Sequence, residues 1–332
     1  MAIIDSKGYV RGAVGPSVFR RSRGKSIVQS RPRKFRQTAA TIESSSEFGM
    51  ISSTGGVIRY AFKPVARYCD GAIGGRVVSA VSRSVRAAVG TLRGKRDLHD
   101  ADLSPLVGLE FNTNSRLHDV LRLPVEVGRD AAGQVKVRLP AMDTRRDLVL
   151  SKSQRRVVDD MQIRFLLIGF NFRENYYEYI DHRDLDCKLE KTYESQSLNF
   201  DAEVPAGCML MLSMSISFYG SNELDGERVL LNSREFSPCA LIGAWQSDAA
   251  ITLTEAQPAA EEKEGRVSMN YYGNKVLAAL PARVRRKARV ERGRTSQGSG
   301  TSPGRAQPPV AIQEEPEFFK GQRVKISPPP GT

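Results

Sequence analysis

From Pro105 to Trp245 the apolar residues recur with a period of two, the spacing that puts alternate side chains on one face of a strand. Leu123, Val125 and Val127 alternate before the turn-forming run Arg129-Asp130-Ala131-Ala132-Gly133, and Val135, Val137 and Leu139 alternate after it, which predicts a β-hairpin. Further strands are expected at 161–172, 176–181, 196–204, 208–219 and 238–245. The segments between them are too short for crossover helices, so residues 105–247 are expected to form an antiparallel β-sandwich rather than a parallel α/β sheet. Its strand order is left open by the pattern. Met209, Met211 and Met214 fall on one of the apolar runs and read as core.

Two different patterns precede this region. Within residues 1–36, β-forming residues flank a polar, glycine-bearing break over 8–31, which reads as a β-hairpin or a pair of extended strands. Residues 37–104 read as helical. Ile42, Phe48, Ile51, Val57, Ile58 and Phe62 carry helical spacing, with Gly55-Gly56 as the expected break between two helices. A third helix places Val77, Val81, Val85 and Val89 on one side and Arg76, Arg83, Arg86 and Arg93 on the other. The overall class is therefore α+β. Residues 248–332 change composition again, through an acidic, alanine-rich stretch, an arginine run and a Ser/Gly/Pro linker to a Pro-rich end. They read as an extended low-complexity tail that buries too little apolar surface to order itself.

The charge follows this division. The net charge is +13 over 332 residues, but residues 1–36 carry +9, 71–96 carry +6 and 283–305 carry +7, which leaves −9 for everything else. Residues 147–246 supply most of that deficit, with sixteen acids against ten bases. Clustered Lys and Arg make polyanions the first partners to consider. The residues expected to contact a partner or nucleic acid are Arg20, Arg21, Arg23, Lys25, Arg31, Arg33, Lys34 and Arg36 in the arm. To these are added Arg76, Arg83, Arg86 and Arg93 on the helix, and Arg283, Arg285, Arg286, Lys287, Arg289, Arg292 and Arg294 in the tail.

Several chemistries lack their residues. Cys69, Cys187, Cys208 and Cys239 are far apart, with no C-x-x-C pair for zinc or dithiol redox work, a usage that fits a reducing compartment. Gly24-Lys25-Ser26 ends like a phosphate-binding loop, but Phe19 stands where the earlier glycine is required, so a basic turn is expected. His99-Asp100 and His118-Asp119 resemble fragments of metal-dependent phosphohydrolase sites, whose further ligands are missing. Asp181-His182-Arg183-Asp184 with Asp186 lacks the glycine turn and distal carboxylate of a Ca²⁺ loop and reads as a solvated turn between strands. Tyr176, Tyr177 and Tyr179 could stack bases, but alternation between core and surface on a strand is the favoured reading. No catalytic residues, no cofactor and no metal are expected. No secretory leader and no apolar run of about 18 residues is visible, so no membrane span and a cytoplasmic location, or an assembly built there, are expected.

One set of residues carries a resemblance. Gly12-Ala13-Val14-Gly15, Gly24-Lys25, Val28, Arg31, Glu47-Phe48-Gly49 and Ile58-Arg59-Tyr60-Ala61-Phe62 occur in an order that resembles a domain-of-unknown-function family frequent in Bacteroidota. The likeness continues through Asp70-Gly71, Arg76, Leu106-Val107-Gly108-Leu109-Glu110-Phe111-Asn112, Pro124, Val137-Arg138-Leu139-Pro140-Ala141 and Ile216-Ser217-Phe218-Tyr219, spanning about residues 8–245. The chain departs from it at Arg36-Gln37-Thr38 and in the added tail. The resemblance implies a small cytoplasmic protein with a helical N-terminal region and a β-sandwich, with no activity attached.

The expectation that follows is a non-enzymatic structural or assembly protein. Its basic arm and tail would contact the acidic β-region of another copy or of another protein in a particle or filament. The alternative is sequence-nonspecific nucleic-acid binding through the same arginines.

Overall fold

The computed structural model describes residues 2–22, 24–31, 38–88, 96–130, 133–222, 225–246, 265–269, 271 and 273, all within the unit Met1–Ala288. The expected contacts Arg23, Arg33, Lys34, Arg36, Arg93, Arg283, Arg285, Arg286, Lys287, Arg289, Arg292 and Arg294 lie outside the described residues. The fold is α+β, with mixed helices and antiparallel sheets.

Residues 2–31 form an antiparallel meander of four strands where a hairpin was expected: β1 (Ala2–Ile4), β2 (Val10–Val14), β3 (Ser17–Ser22) and β4 (Lys25–Ser30). Two long helices follow. In α1 (Ala39–Ala61) the Thr38 side chain caps the first turn by accepting from the Thr41 N–H. Helix α1 runs unbroken through Gly55-Gly56, against the expected break. Gly55 is there for packing: a Cβ on it would lie 3.2 Å from Val78 Cγ2 and 3.4 Å from the Val78 backbone nitrogen. The missing side chain lets α2 (Ile73–Ala87) approach closely. As the spacing predicts, α2 buries Val77, Val81 and Val85 and exposes Arg83 and Arg86.

The remaining elements are mostly strands. The expected hairpin is β5 (Glu126–Arg129) and β6 (Val135–Leu139), joined on the far side of β6 by β11 (Gln196–Phe200) into a three-stranded sheet. Short helices α3 (Leu117–Val120) and α4 (Lys152–Val157) and a two-residue pairing of β7 (Met142–Asp143) with β10 (Thr192–Tyr193) complete the connections. The largest sheet has the order β13 (Arg228–Leu230), β12 (Met209–Ser221), β8 (Asp160–Asn171), β9 (Tyr176–Lys188), β15 (Arg266–Ser268), with β14 (Cys239–Trp245) also pairing β12.

Strands β8 and β12 are apolar on both faces because both faces are covered. Leu166, Ile168 and Phe170 of β8 and Met209 and Met211 of β12 pack with Met50, Ile58, Val77 and Val81 of the helices. Met161, Ile163 and Phe165 of β8, with Leu210, Leu212 and Met214 of β12, pack against Val135, Val137 and Leu139 of the smaller sheet. Continuous apolar runs are the signature of such doubly covered strands.

Two sequence expectations fail here. Strand β9 continues through Asp181, His182, Arg183, Asp184 and Asp186, which were expected to form a turn; they pair in register with Leu167 back to Gln162 of β8. Cross-strand ion pairs satisfy the charges: Arg164 forks onto Asp184 at 2.7 and 2.5 Å, and Arg228 reaches Asp160 at 2.5 Å and Asp186 at 3.4 Å. Within the expected tail, Arg266–Ser268 adds an edge strand to β9, and Met269 and Tyr271 are buried, the Thr54 hydroxyl lying 3.3 Å from the Tyr271 hydroxyl.

Candidate partner surface

The meander is built by its turns. Gly8, Gly15 and Gly24 have φ of 78°, 52° and 80°, the left-handed region where a Cβ is costly, and each sits in a tight connection between neighbouring strands. The Asp5 carboxylate accepts from the Lys7 and Tyr9 backbone N–H groups at 3.0 and 2.9 Å and pairs with Arg11 Nε at 3.0 Å. The backbone hydrogen bonds, led by Tyr9, hold its pKa below the ordinary carboxylate range despite partial desolvation.

Strand register assigns the two faces. Ile4 lies opposite Val10, Val14 opposite Ser17, and Phe19 between Gly12 and Val28, so Ile4, Val10, Val14, Phe19 and Val28 share one face. Arg11, Arg20 and Lys25 share the other with Val18 and Ile27. None of the described residues 2–31 is buried, and Ile4, Val28 and Val14 are 73%, 60% and 56% exposed. Every hydrogen bond and ion pair of the described residues in this segment stays within it. Four hydrogen-bonded strands are thus present with an apolar face, which Arg21 shares, and none of its described residues is buried.

The basic residues divide into engaged and free. Arg76 is engaged: it forks onto Asp70 at 2.8 and 2.7 Å and donates to the Glu110 and Phe111 carbonyls. That fork, with the Thr113 contacts, holds the Asp70 carboxyl well below its ordinary pKa. Arg21 lies over the Tyr9 ring at 4.0 Å and donates to the Gly24 carbonyl at 3.3 Å. Arg20, Lys25, Arg31 and Arg83 are exposed and their side chains have no partner among the described residues. Of Gly24-Lys25-Ser26, Gly24 makes the turn, while Lys25 and Ser26 open β4 and pair with Ser22 and Arg21 instead of forming the expected basic turn.

The acids of the β-region are mostly engaged. Besides the β8–β9 pairs, Asp181 holds Arg183, Asp130 holds Lys136 and Asp147 holds Arg146. Glu194, Asp201 and Glu203 are exposed without a partner among the described residues, and they bracket β11, an edge strand of the smaller sheet. These three carboxylates are a candidate receptor for free cations.

The histidines are dispersed. His99 Nε2 accepts the Phe172 N–H at 3.1 Å, and burial, aided by Arg173, pushes its pKa down to about 3. His118 lies 3.6 Å from Glu110 and 3.1 Å from Asp119, and His182 is exposed on β9. Burial raises the Glu110 carboxyl. Among the described residues no group of three or more His, Cys, Asp and Glu is placed to hold a metal. Tyr176 and Tyr177 are buried and Tyr179 is 40% exposed, its hydroxyl donating to the Ala61 carbonyl at 3.0 Å. No helix among the described residues is long and apolar enough to cross a membrane. Comparison with family models, with curated proteins and with solved structures finds no match for this chain.

Proposed function

We propose that the protein is a non-enzymatic assembly component whose N-terminal meander is completed by another copy of the chain. The observation that carries this is the four-stranded sheet with no buried residue among the described residues 2–31. A sheet gains its stability by burying at least one face, and an exposed apolar face with unpaired edges is a template for association. The charge offers a second contact on the opposite face of the meander, where Arg20 and Lys25 lie away from Ile4, Val14 and Val28. Among the described residues, Arg20, Lys25 and Arg31 have no side-chain partner on the meander, and Glu194, Asp201 and Glu203 have none around β11. Such a contact joins two different surfaces, so it is heterologous and propagates into rings or filaments.

Light scattering and negative-stain imaging of the full chain at low salt test the proposal. Oligomers that dissolve when residues 2–31 are deleted are expected, and a strict monomer at high concentration overturns it. A charge swap sharpens the result. Arg20→Glu with Lys25→Glu abolishes assembly, and Glu194→Lys with Glu203→Lys in the mixed partner restores it. Nucleic acid is the competing occupant of the same cations. Its retention through purification, with a steep loss in salt, would mark that partner instead.

A further inference from the structure

A cleft of about 550 Å³ opens between the end of α1 and the sheet, sharing no residue with the meander. Its volume lies within the range of small-molecule sites. One wall is the short stretch Tyr60–Tyr68 at and beyond the end of α1, which contributes Tyr60, Lys63, Arg67 and Tyr68. The other is the sheet, with Ser217 and Tyr219 of β12 and Arg164 of β8. No carboxylate lines it, and Arg164 is already neutralised by Asp184. Six lining side chains, Tyr60, Lys63, Arg67, Tyr68, Ser217 and Tyr219, have no hydrogen-bond or ion-pair partner for their polar groups among the described residues.

The cleft is therefore rich in donors and carries two unpaired cations with no anionic acceptor in its lining. Lys and Arg only donate, and the hydroxyls have a proton to give. A neutral sugar would satisfy the hydroxyls but leave the Lys63 and Arg67 charges without a counter-charge. A phosphate brings acceptors alone, and a nucleobase edge brings carbonyl and ring-nitrogen acceptors. Tyr60, which is 65% exposed, adds an open ring face of the kind on which bases stack. The end of α1 would by itself favour the two cations. It does not account for the tyrosine rings or for the hydroxyls opposite them.

We infer that this cleft binds a nucleotide, with its phosphate between Lys63 and Arg67 and its base against the ring of Tyr60. The reading is independent of the assembly role.

The test is titration of the full chain with AMP, followed by calorimetry and by saturation transfer to the base protons, with glucose 6-phosphate as comparison. Saturable AMP binding is expected. The double variant Lys63→Gln/Arg67→Gln and the single variant Tyr60→Ser are each expected to weaken it about tenfold, the second because one base stack is lost. All the substituted side chains are exposed, so melting temperatures should match the parent. The arm variant Arg20→Gln/Lys25→Gln is expected to bind AMP unchanged. Absence of saturable AMP binding, equal affinity in the cleft variants, or equal affinity for glucose 6-phosphate would each overturn the inference.

Discussion

Arg173 forks onto Asp97, Nε at 2.7 Å and Nη2 at 2.9 Å, with the two side chains only 10% and 3% exposed. The pair joins the segment after α2 to the turn between β8 and β9. Asp97 also accepts from the His99 and Asp100 N–H groups, and Arg173 takes Asp100 at 2.9 Å, so most polar atoms at this junction are satisfied. Removing Asp97 leaves the buried Arg173 with Asp100 alone and takes the acceptor from the His99 and Asp100 N–H groups. Asp97→Ala should therefore cost about 3–5 kcal/mol in urea unfolding. Asp97→Asn keeps acceptors for the two N–H groups and should cost less.

His99 beside this pair makes stability depend on pH. The native imidazole is held neutral down to about 3, while the unfolded chain takes a proton near 6.5. As pH falls below 6.5 the unfolded state binds the extra proton, so stability falls; it is fully present above 6.5 and lost towards 3. The slope approaches about 1.4 kcal/mol per pH unit inside that window. The depressed carboxyl of Asp70 acts in the same direction but only below its ordinary value of 3.8. Unfolding midpoints measured against pH should fall more steeply in the parent than in His99→Asn, with the difference arising between pH 6.5 and 3.8.

Adjacent glycines of α1 should respond in opposite ways. A side chain on Gly55 meets Val77 and Val78 of α2, whereas one on Gly56 meets nothing within 4 Å. Gly56→Ala should stabilise by roughly 0.5–1 kcal/mol through helix propensity. Gly55→Leu should destabilise by about 2 kcal/mol or more through overpacking. Thermal melts of the two variants, run side by side, check both signs.

The same two glycines show where the sequence misleads. A Gly-Gly pair reads as a break because glycine is a poor helix former, and nothing local reveals that a second helix needs the vacated space. By contrast β8 and β12 are legible, since burial on both faces leaves an unmistakable apolar run. The second half of β9 hides because its carboxylates at 181, 184 and 186 look like a turn until Arg164 of β8 is known to pair with Asp184 and Arg228 of β13 with Asp186; Asp181 pairs with Arg183 on β9 itself. Arg76 is misplaced for a related reason: helical spacing puts it with Arg83 and Arg86, but Asp70, six residues earlier, turns it into the fold. The Lys63–Arg67–Tyr60 cleft had no signal in the sequence, because its far wall comes from strands β8 and β12, far along the chain.

The apolar face of the meander yields the last prediction. Val28 is 60% exposed on β4 and shares its face with Ile4, Val10, Val14 and Phe19. Because no described residue of this sheet is buried within the chain, Val28→Glu removes no intramolecular core contact. Its effect on the melting of the helical and β-rich core should be within about 0.5 kcal/mol, as for a surface change. Across an interface the same glutamate would be buried without a partner, at a cost of several kcal/mol. Sedimentation at low salt should therefore show the Val28→Glu chain shifted to monomer with an unchanged core transition. Val28→Ile, which keeps the face apolar, should assemble like the parent. Should Val28→Glu assemble as well as Val28→Ile, the face that joins the copies is not this one.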